Sequence, residues 1–341
     1  MLGGSDKVKI NPYVKLIVLI VCLIILYVSK TAVIASLIGV GIGVLVSPIL
    51  DYLQKWLKIR RSLCLFFLLI LALIVAAVMG VSLGWVIFEQ GSLLSKEMPR
   101  FSAQLRTQLE NTFDRFPWIL EQIKSFDFLG NFQGIIQYLF GGIQLGFVAI
   151  GGAFFALIVG LYFAVNDEFY FRGVVRMFPP QHRDHAEDLL KKCASVVRAW
   201  FRAQLIDMAI IGLMTAVGFL IVGVKFWALF GLLTALFGII PYVGTILMAM
   251  IVSLITLASD AGQVPWVILV FVIIQQIEGN VILPWVMKGQ AEIPEAILLV
   301  VMLFFGLWFG LPGIFIAPPS LAVMICLYRN LYLPTIEADR R

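Results

Sequence analysis

Apolar runs separated by short polar connections fill most of this sequence, and the length of each run decides what it becomes. Residues 31–50, 63–88, 139–165 and 205–224 are each long enough to cross a bilayer as one helix, which takes about 20 predominantly apolar residues. A shorter run, 16–28, follows Lys7, Lys9 and Lys15, and no small-residue cleavage pattern comes after it. It reads as a retained first span rather than a removable leader. Two runs are too long. The 33 residues of 226–258 would make a helix about 50 Å long against a hydrocarbon core of about 30 Å. Pro241 and Gly244 predict a break inside it. The run 296–328 is interrupted in the same way around Gly310, Pro312 and Gly313, and again at Pro318 and Pro319.

Small residues and charges refine this picture. Gly39, Gly41 and Gly43 in one run, and Gly141, Gly142, Gly146, Gly151, Gly152 and Gly160 in another, predict close helix packing, and Pro48 is expected to end or kink its helix. The connection 51–62 holds Lys55, Lys58, Arg60 and Arg61 against Asp51, so it belongs on the cytoplasmic side, with the amino terminus. The stretch 89–138 carries slightly more acid than base, which fits the outer side. Its Phe101, Leu105, Leu109, Phe113 and Phe116 recur at helical spacing, so it reads as an amphipathic arm whose stripe packs on the bundle, a neighbouring subunit or the membrane surface. Residues 166–202 are basic again and lie inside. There Leu189, Cys193, Val196, Val197 and Trp200 form a stripe, while Glu187 with Lys191 and Asp188 with Lys192 are i, i+4 pairs, together predicting an interfacial helix that feeds the next span. Asp207, near the cytoplasmic end of that span, reads as a snorkelling or paired interface residue.

The chain divides into five segments: amino-terminal spans over 1–88, the external arm over 89–138, a span with a cytoplasmic amphipathic helix over 139–204, a carboxyl-terminal core with broken helices over 205–330, and a cytoplasmic tail over 331–341.

Composition places the chain outside the soluble globular range: 61% of its 341 residues are hydrophobic and 13% charged, with a mean hydropathy of +1.01. The net charge of +5 is spread over short loops, so the basic residues are topology determinants and no nucleic-acid partner is expected. Cys22, Cys64, Cys193 and Cys326 form no CxxC pair and argue for neither a disulfide nor a metal, and His182 and His185 read as solvated. No cofactor is called for. The absence of HExxH, of paired intramembrane aspartates and of a Walker lysine motif argues against an enzyme, so any energy source is a gradient or a partner.

The candidate chemistry lies between Gln275 and Pro294. Gln275, Glu278 and Gly279 share one side of a helix and Gln276 with Asn280 forms a second row, a polar sector about 200° wide. A charged side chain at the bilayer centre costs about 2.5 to 3.5 kcal/mol on insertion scales, so such groups face a bundle interior or a wet cavity. Gly279 and Pro284 weaken the helix at the same place, and freed backbone groups survive there only beside protein or water. The stretch therefore reads as a broken helix lining a route, with three interrupted segments in sequence, as in transporters that offer helix ends to a solute. Interhelical hydrogen bonding by Glu278 and Asn280 is the plainer alternative.

The motifs around these breaks resemble a known family. Gly238-Ile239-Ile240-Pro241-Tyr242-Val243-Gly244, Glu278-Gly279-Asn280 with Pro284 and Met287-Lys288-Gly289, and Phe309-Gly310-Leu311-Pro312-Gly313 with Ala317-Pro318 are similar to segments of the autoinducer-2 exporter family, also described as PerM-like permeases. Ala203 before Gln204 and the doubled proline at Pro319 depart from the pattern. The resemblance implies an all-α polytopic protein of the bacterial inner membrane, of about eight spans, with both termini cytoplasmic, lipid around it and a homo-oligomeric, plausibly pentameric, assembly. It also implies export of autoinducer-2 for some members and exchange of Na+ or Li+ for H+ for others, and Glu278 reads as the group that would couple export of autoinducer-2 or a similar small polar solute to protons. A scaffold that transports nothing is the third reading. Gln275, Gln276, Glu278, Asn280 and Tyr242 are then the expected pathway residues, and Pro241, Gly244, Gly279, Pro284, Gly310, Pro312 and Gly313 the breaks that gate it.

Overall fold

The computed structural model describes residues 29–113, 143–286 and 294–333. The first span at 16–28, the far part of the outer arm, Met287 to Gly289 and the tail lie outside the described residues. Among the described residues every regular element is helical. Among the described residues four helices are long and apolar enough to cross a membrane, five if one bent pair counts as a span, and four shorter apolar helices accompany them. The chain is an all-α polytopic membrane protein.

Helix α1 (Lys30–Leu57) runs through Pro48 without ending, so of the two outcomes expected there termination is ruled out. A break there would leave backbone groups unpaired in an apolar setting, which costs more than the one hydrogen bond that proline removes. Helix α2 (Arg61–Val86) passes through a π-helical turn, Ile87–Gly91, into α3 (Ser92–Phe113). Helix α4 (Ile143–Val165) lies along α1 with backbone nearly touching backbone. A Cβ on Gly39 would fall 2.5 Å from the Ala156 carbonyl oxygen, and one on Gly160 would fall 2.7 Å from that of Gly39. The glycine pattern thus specifies this seam.

Beyond Asn166 the chain bends by 83° into α5 (Asp167–Arg176). Helix α6 (Arg183–Val222) then runs 40 residues without interruption, about 60 Å. The interfacial helix expected before residue 205 is therefore the first half of the spanning helix itself, because nothing between Arg183 and Gly223 stops helical hydrogen bonding. Of the two expected ion pairs, Glu187–Lys191 forms, with a separation of 2.6 Å, whereas the Lys192 ammonium donates to Asn330 Oδ1.

The two overlong runs are both helix pairs that pack against themselves. Helices α7 (Trp227–Phe237) and α8 (Val243–Ser259) meet across a turn at 238–242. Helices α11 (Glu295–Phe309) and α12 (Leu311–Leu327) fold back sharply at Gly310, so that Leu298 and Leu321 share one core cluster. Gly310 has φ 69° and ψ −154°, a region open essentially to glycine alone. Pro318 and Pro319 lie buried inside α12, which continues through them. Between the pairs, α9 (Val264–Ile277) leads through a π-helical turn, Glu278–Ile282, into the short α10 (Leu283–Val286).

The main core joins Phe219 of α6, Leu229 and Phe230 of α7, Met248 and Val252 of α8, and Phe271 of α9. Phe219 meets Phe230 and Phe271 edge-on, with ring centroids 6.3 and 5.3 Å apart. Leu94 and Phe101 of α3 are buried in the same cluster, so the near part of the arm packs on its own bundle. Gln90 secures it further by accepting a hydrogen bond from the Leu229 amide at 3.1 Å.

Candidate functional site

Three departures from regular helix converge at the α7–α8 turn, and each brings a polar group with it. The turn itself is closed by backbone bonds from Gly238 N to Thr234 O, 2.8 Å, and from Gly244 N to Ile240 O, 3.0 Å. Gly244 is required because a Cβ there would lie 1.8 Å from the Phe237 carbonyl oxygen. Tyr242 adopts φ 63° and ψ −48°, a conformation that costs an aromatic residue on the order of 1–3 kcal/mol. The surrounding packing holds it there: Ile240 and Tyr242 rest on the cluster of Leu298, Met302, Ala317 and Leu321 from α11 and α12.

The second departure is the π-helical turn that begins at Glu278. The helix is widened here rather than broken, and Gly279 and Pro284 both remain within helical backbone. An extra residue per turn rotates the downstream helix, and such bulges recur at functional sites. Glu278 is buried at 6% exposure and its Oε2 accepts a hydrogen bond from Gln275 Nε2. The third departure is the start of α11 after Pro294, where Glu295 Oε1 accepts a 3.4 Å hydrogen bond from the Tyr242 hydroxyl.

Helix α6 supplies the remaining groups. Gln204 is buried and its Nε2 donates to the Gly238 carbonyl at 2.7 Å, clasping the turn. One turn on, Asp207 is 8% exposed, its Oδ1 has no hydrogen-bond partner among the described residues, and its charge is felt at both Glu278 and Tyr242. Asp207 is thus a buried member of the cluster and does not snorkel toward the membrane surface. Its signal in the sequence was the i, i+3 spacing from Gln204 on one face of an otherwise apolar helix.

The expected pathway residues divide into two sets. Gln275, Glu278 and Tyr242 gather at the turn. Gln276 and Asn280 face outward and bond to one another, Asn280 Nδ2 donating to Gln276 O at 2.9 Å and to Gln276 Oε1 at 3.0 Å. A largely apolar groove of about 280 Å³ between α8 and α9 is reached by one residue of each set, Gln275 and Gln276, with Thr245 and Ser253 beside them. Of the expected breaks, Pro241 and Gly244 form the turn beside Glu278. Gly310 alone forms the other turn, roughly 18 Å along α11 from Leu298 and away from this cluster, while Pro312 and Gly313, expected as breaks, lie in the first turn of α12, where proline costs no helical hydrogen bond.

The arrangement places buried carboxyl and carboxamide groups and the Tyr242 phenol beside irregular backbone. A G-x-S-x-G string does occur at Gly80 to Gly84, but within the continuous helix α2, without the strand-to-helix turn that exposes a nucleophile. Buried carboxylates, carboxamides and an irregular backbone inside an apolar helical bundle define a polytopic membrane transporter.

Comparison with known proteins gives that class a family. Residues 16–332 match the model of the AI-2E family transporters, and the chain belongs to that family. It is 24% identical over 297 residues to "Putative transport protein YueF" of Bacillus subtilis (strain 168), covering 84% of this chain and 80% of that protein. It is also 24% identical over 333 residues to "Putative permease PerM" of Escherichia coli (strain K12), covering 89% and 91%.

Proposed function

We propose that this chain is a proton-coupled secondary exporter of a small polar solute, of which autoinducer-2 is the example carried by the family's name. The observation that carries the reading is Glu278: a carboxylate 6% exposed, in a widened turn of an apolar helix, bonded to Gln275, which itself lines a groove between α8 and α9. Such a group is costly in an apolar bundle and is useful where a proton must be taken up and released across the membrane. Gln275, Gln276 and Tyr242 supply neutral donors and acceptors fitted to a hydroxylated solute. Residues 205–330 act as the transport core, within a homo-oligomer in the bacterial inner membrane whose termini face the cytoplasm.

Exchange of Na+ or Li+ for H+ is the second reading, favoured by the acidic character of the cluster: Asp207, Glu278 and Glu295 gather there. A scaffold has no use for these groups. The test is flux in proteoliposomes loaded with autoinducer-2 or with Na+ under an imposed pH gradient, wild type beside Glu278→Gln. Solute flux that follows the gradient and vanishes in the variant supports proton coupling at Glu278. Undiminished flux in the variant at every pH rules it out, and flux of Na+ alone selects the exchanger.

A further inference from the structure

We propose that Asp207 and Glu278 act as one site, a pair of carboxylates on two helices that holds a single small cation, a proton or a monovalent metal ion, between them. The proposal rests on the reading of Glu278 as the coupling group and adds to it a partner on a different helix. Four observations support the pair. Both side chains are more than nine-tenths buried. Asp207 Oδ1 has no hydrogen-bond donor among the described residues, whereas a buried carboxylate oxygen ordinarily has one. Helix α6, which carries Asp207, packs directly on α9, on the π-helical turn that begins at Glu278 and on α10, and the charge of Asp207 acts on Glu278. Finally, among the described residues no lysine or arginine forms an ion pair with either acid.

Two negative charges buried in one apolar interface repel each other and lose their hydration. One bound positive charge removes most of this cost, and the neutral groups nearby suit it: the Gln275 carboxamide is bonded to Glu278, the Tyr242 hydroxyl is within electrostatic reach of both acids, and the Gly238 carbonyl is held by Gln204. The other titratable group in range, Glu295, is acidic and reinforces the demand. A divalent ion fits less well, since Ca2+ takes six to eight oxygen ligands and Mg2+ retains several waters. Uptake requires no other bond change. A proton joins one carboxylate oxygen to give a carboxylic acid, or a metal ion is bound by both carboxylates and leaves intact.

The site can be read without transport. Infrared difference spectra of the purified full chain in lipid nanodiscs report the carboxylic-acid carbonyl band during a pH titration, and during replacement of N-methylglucamine by Na+ or Li+ at fixed pH. The expected result is one acid band whose titration changes in Asp207→Asn as well as in Glu278→Gln. A response to pH alone identifies the proton as the cation, and displacement of the band by Na+ or Li+ identifies the metal ion; either supports the pair. A band that titrates in Asp207→Asn as in wild type, while Glu278→Gln abolishes it, overturns the pair. Should Asp207→Asn not fold, Asp207→Glu keeps the charge, and its band must shift if the two acids share a cation; an unshifted band is equally fatal. Absence of solute flux in proteoliposomes with an intact shared band would refute the transport reading and leave the site standing.

Discussion

Replacing Gly244 by alanine tests whether the α7–α8 turn organises the site. The new Cβ would sit 1.8 Å from the Phe237 carbonyl oxygen and 2.4 Å from its carbon. Real Cβ contacts stay beyond 3.0 Å, so the turn must open by at least 1.2 Å (3.0 minus 1.8). The obstacle is backbone, which cannot swing aside as a flexible side chain would. Overpacking of this kind costs about 1–3 kcal/mol. The opened turn also strains the buried bond from Gln204 to Gly238 O, 2.7 Å long, whose loss adds about 1 kcal/mol. The expected sum is about 2–4 kcal/mol. Gly279→Ala provides the contrast: no heavy atom lies within 4 Å of its Cβ position, and alanine favours helix over glycine by up to about 1 kcal/mol. The assay is the fraction of detergent-purified protein that stays monodisperse after heating, together with flux per folded molecule. Gly244→Ala should lose several degrees of apparent midpoint and most of its flux, and Gly279→Ala should keep its midpoint. Equal midpoints for the two variants would refute the claim that the turn needs a bare backbone at Gly244.

Two further outcomes concern the rest of the bundle. Arg61 joins Asp167 at 2.7 Å and Asp51 at 3.3 Å and donates to Ser47 Oγ at 2.7 Å, with the Arg61 and Asp167 side chains 18% and 23% exposed. Arg61→Ala leaves Asp167 without its cation and should cost about 2 kcal/mol, less than a fully buried pair, with an unchanged heating midpoint as the contrary result. The thiols of Cys193 and Cys326 lie 3.7 Å apart between α6 and α12, so a shift of about 1.7 Å reaches bonding distance. Copper-phenanthroline, which takes up the two electrons as two protons leave, should produce a linked peptide detectable by mass spectrometry. Persistently free thiols at both positions would contradict that packing.

Helix positions were legible because apolar run length and the bilayer constraint act locally, residue by residue. The same logic marked Pro241, Gly244 and Gly310 as breaks, and the glycines of α1 and α4 as a seam. It failed where tertiary context decides. Pro48, Pro318 and Pro319 remain inside helices, because backbone in an apolar bundle tolerates one missing bond better than an open end. Periodicity placed Glu278 and Asn280 in one polar sector, but the neighbouring helices bury the first and leave the second exposed. Asp207 and Glu278 are 71 residues apart in sequence (278 minus 207), and Cys193 and Cys326 are 133 apart. No local pattern connects such pairs, and only the packing of α6 does.

That packing also explains how the bundle tolerates an acidic cluster. Helix α6 touches α1, α5, α7, α9 and α12, and its contact with α7 is as close as backbones allow. A Cβ on Gly231 would meet the Gly212 carbonyl oxygen at 2.8 Å, and one on Gly212 would meet Ala235 Cβ at 2.4 Å. Beyond this seam Phe219 is fully buried among aromatic rings. Gln204 and Asp207 therefore project from a helix that is fixed along its length, and their unfavourable burial is offset by contacts several turns away. The α7–α8 turn is held differently. It carries a strained Tyr242, a single buried side-chain clasp from Gln204, and a rest on the α11–α12 pair through Ile240 and Tyr242. Backbone strain is thus concentrated in the turn, whereas α6 is packed against several helices along its length.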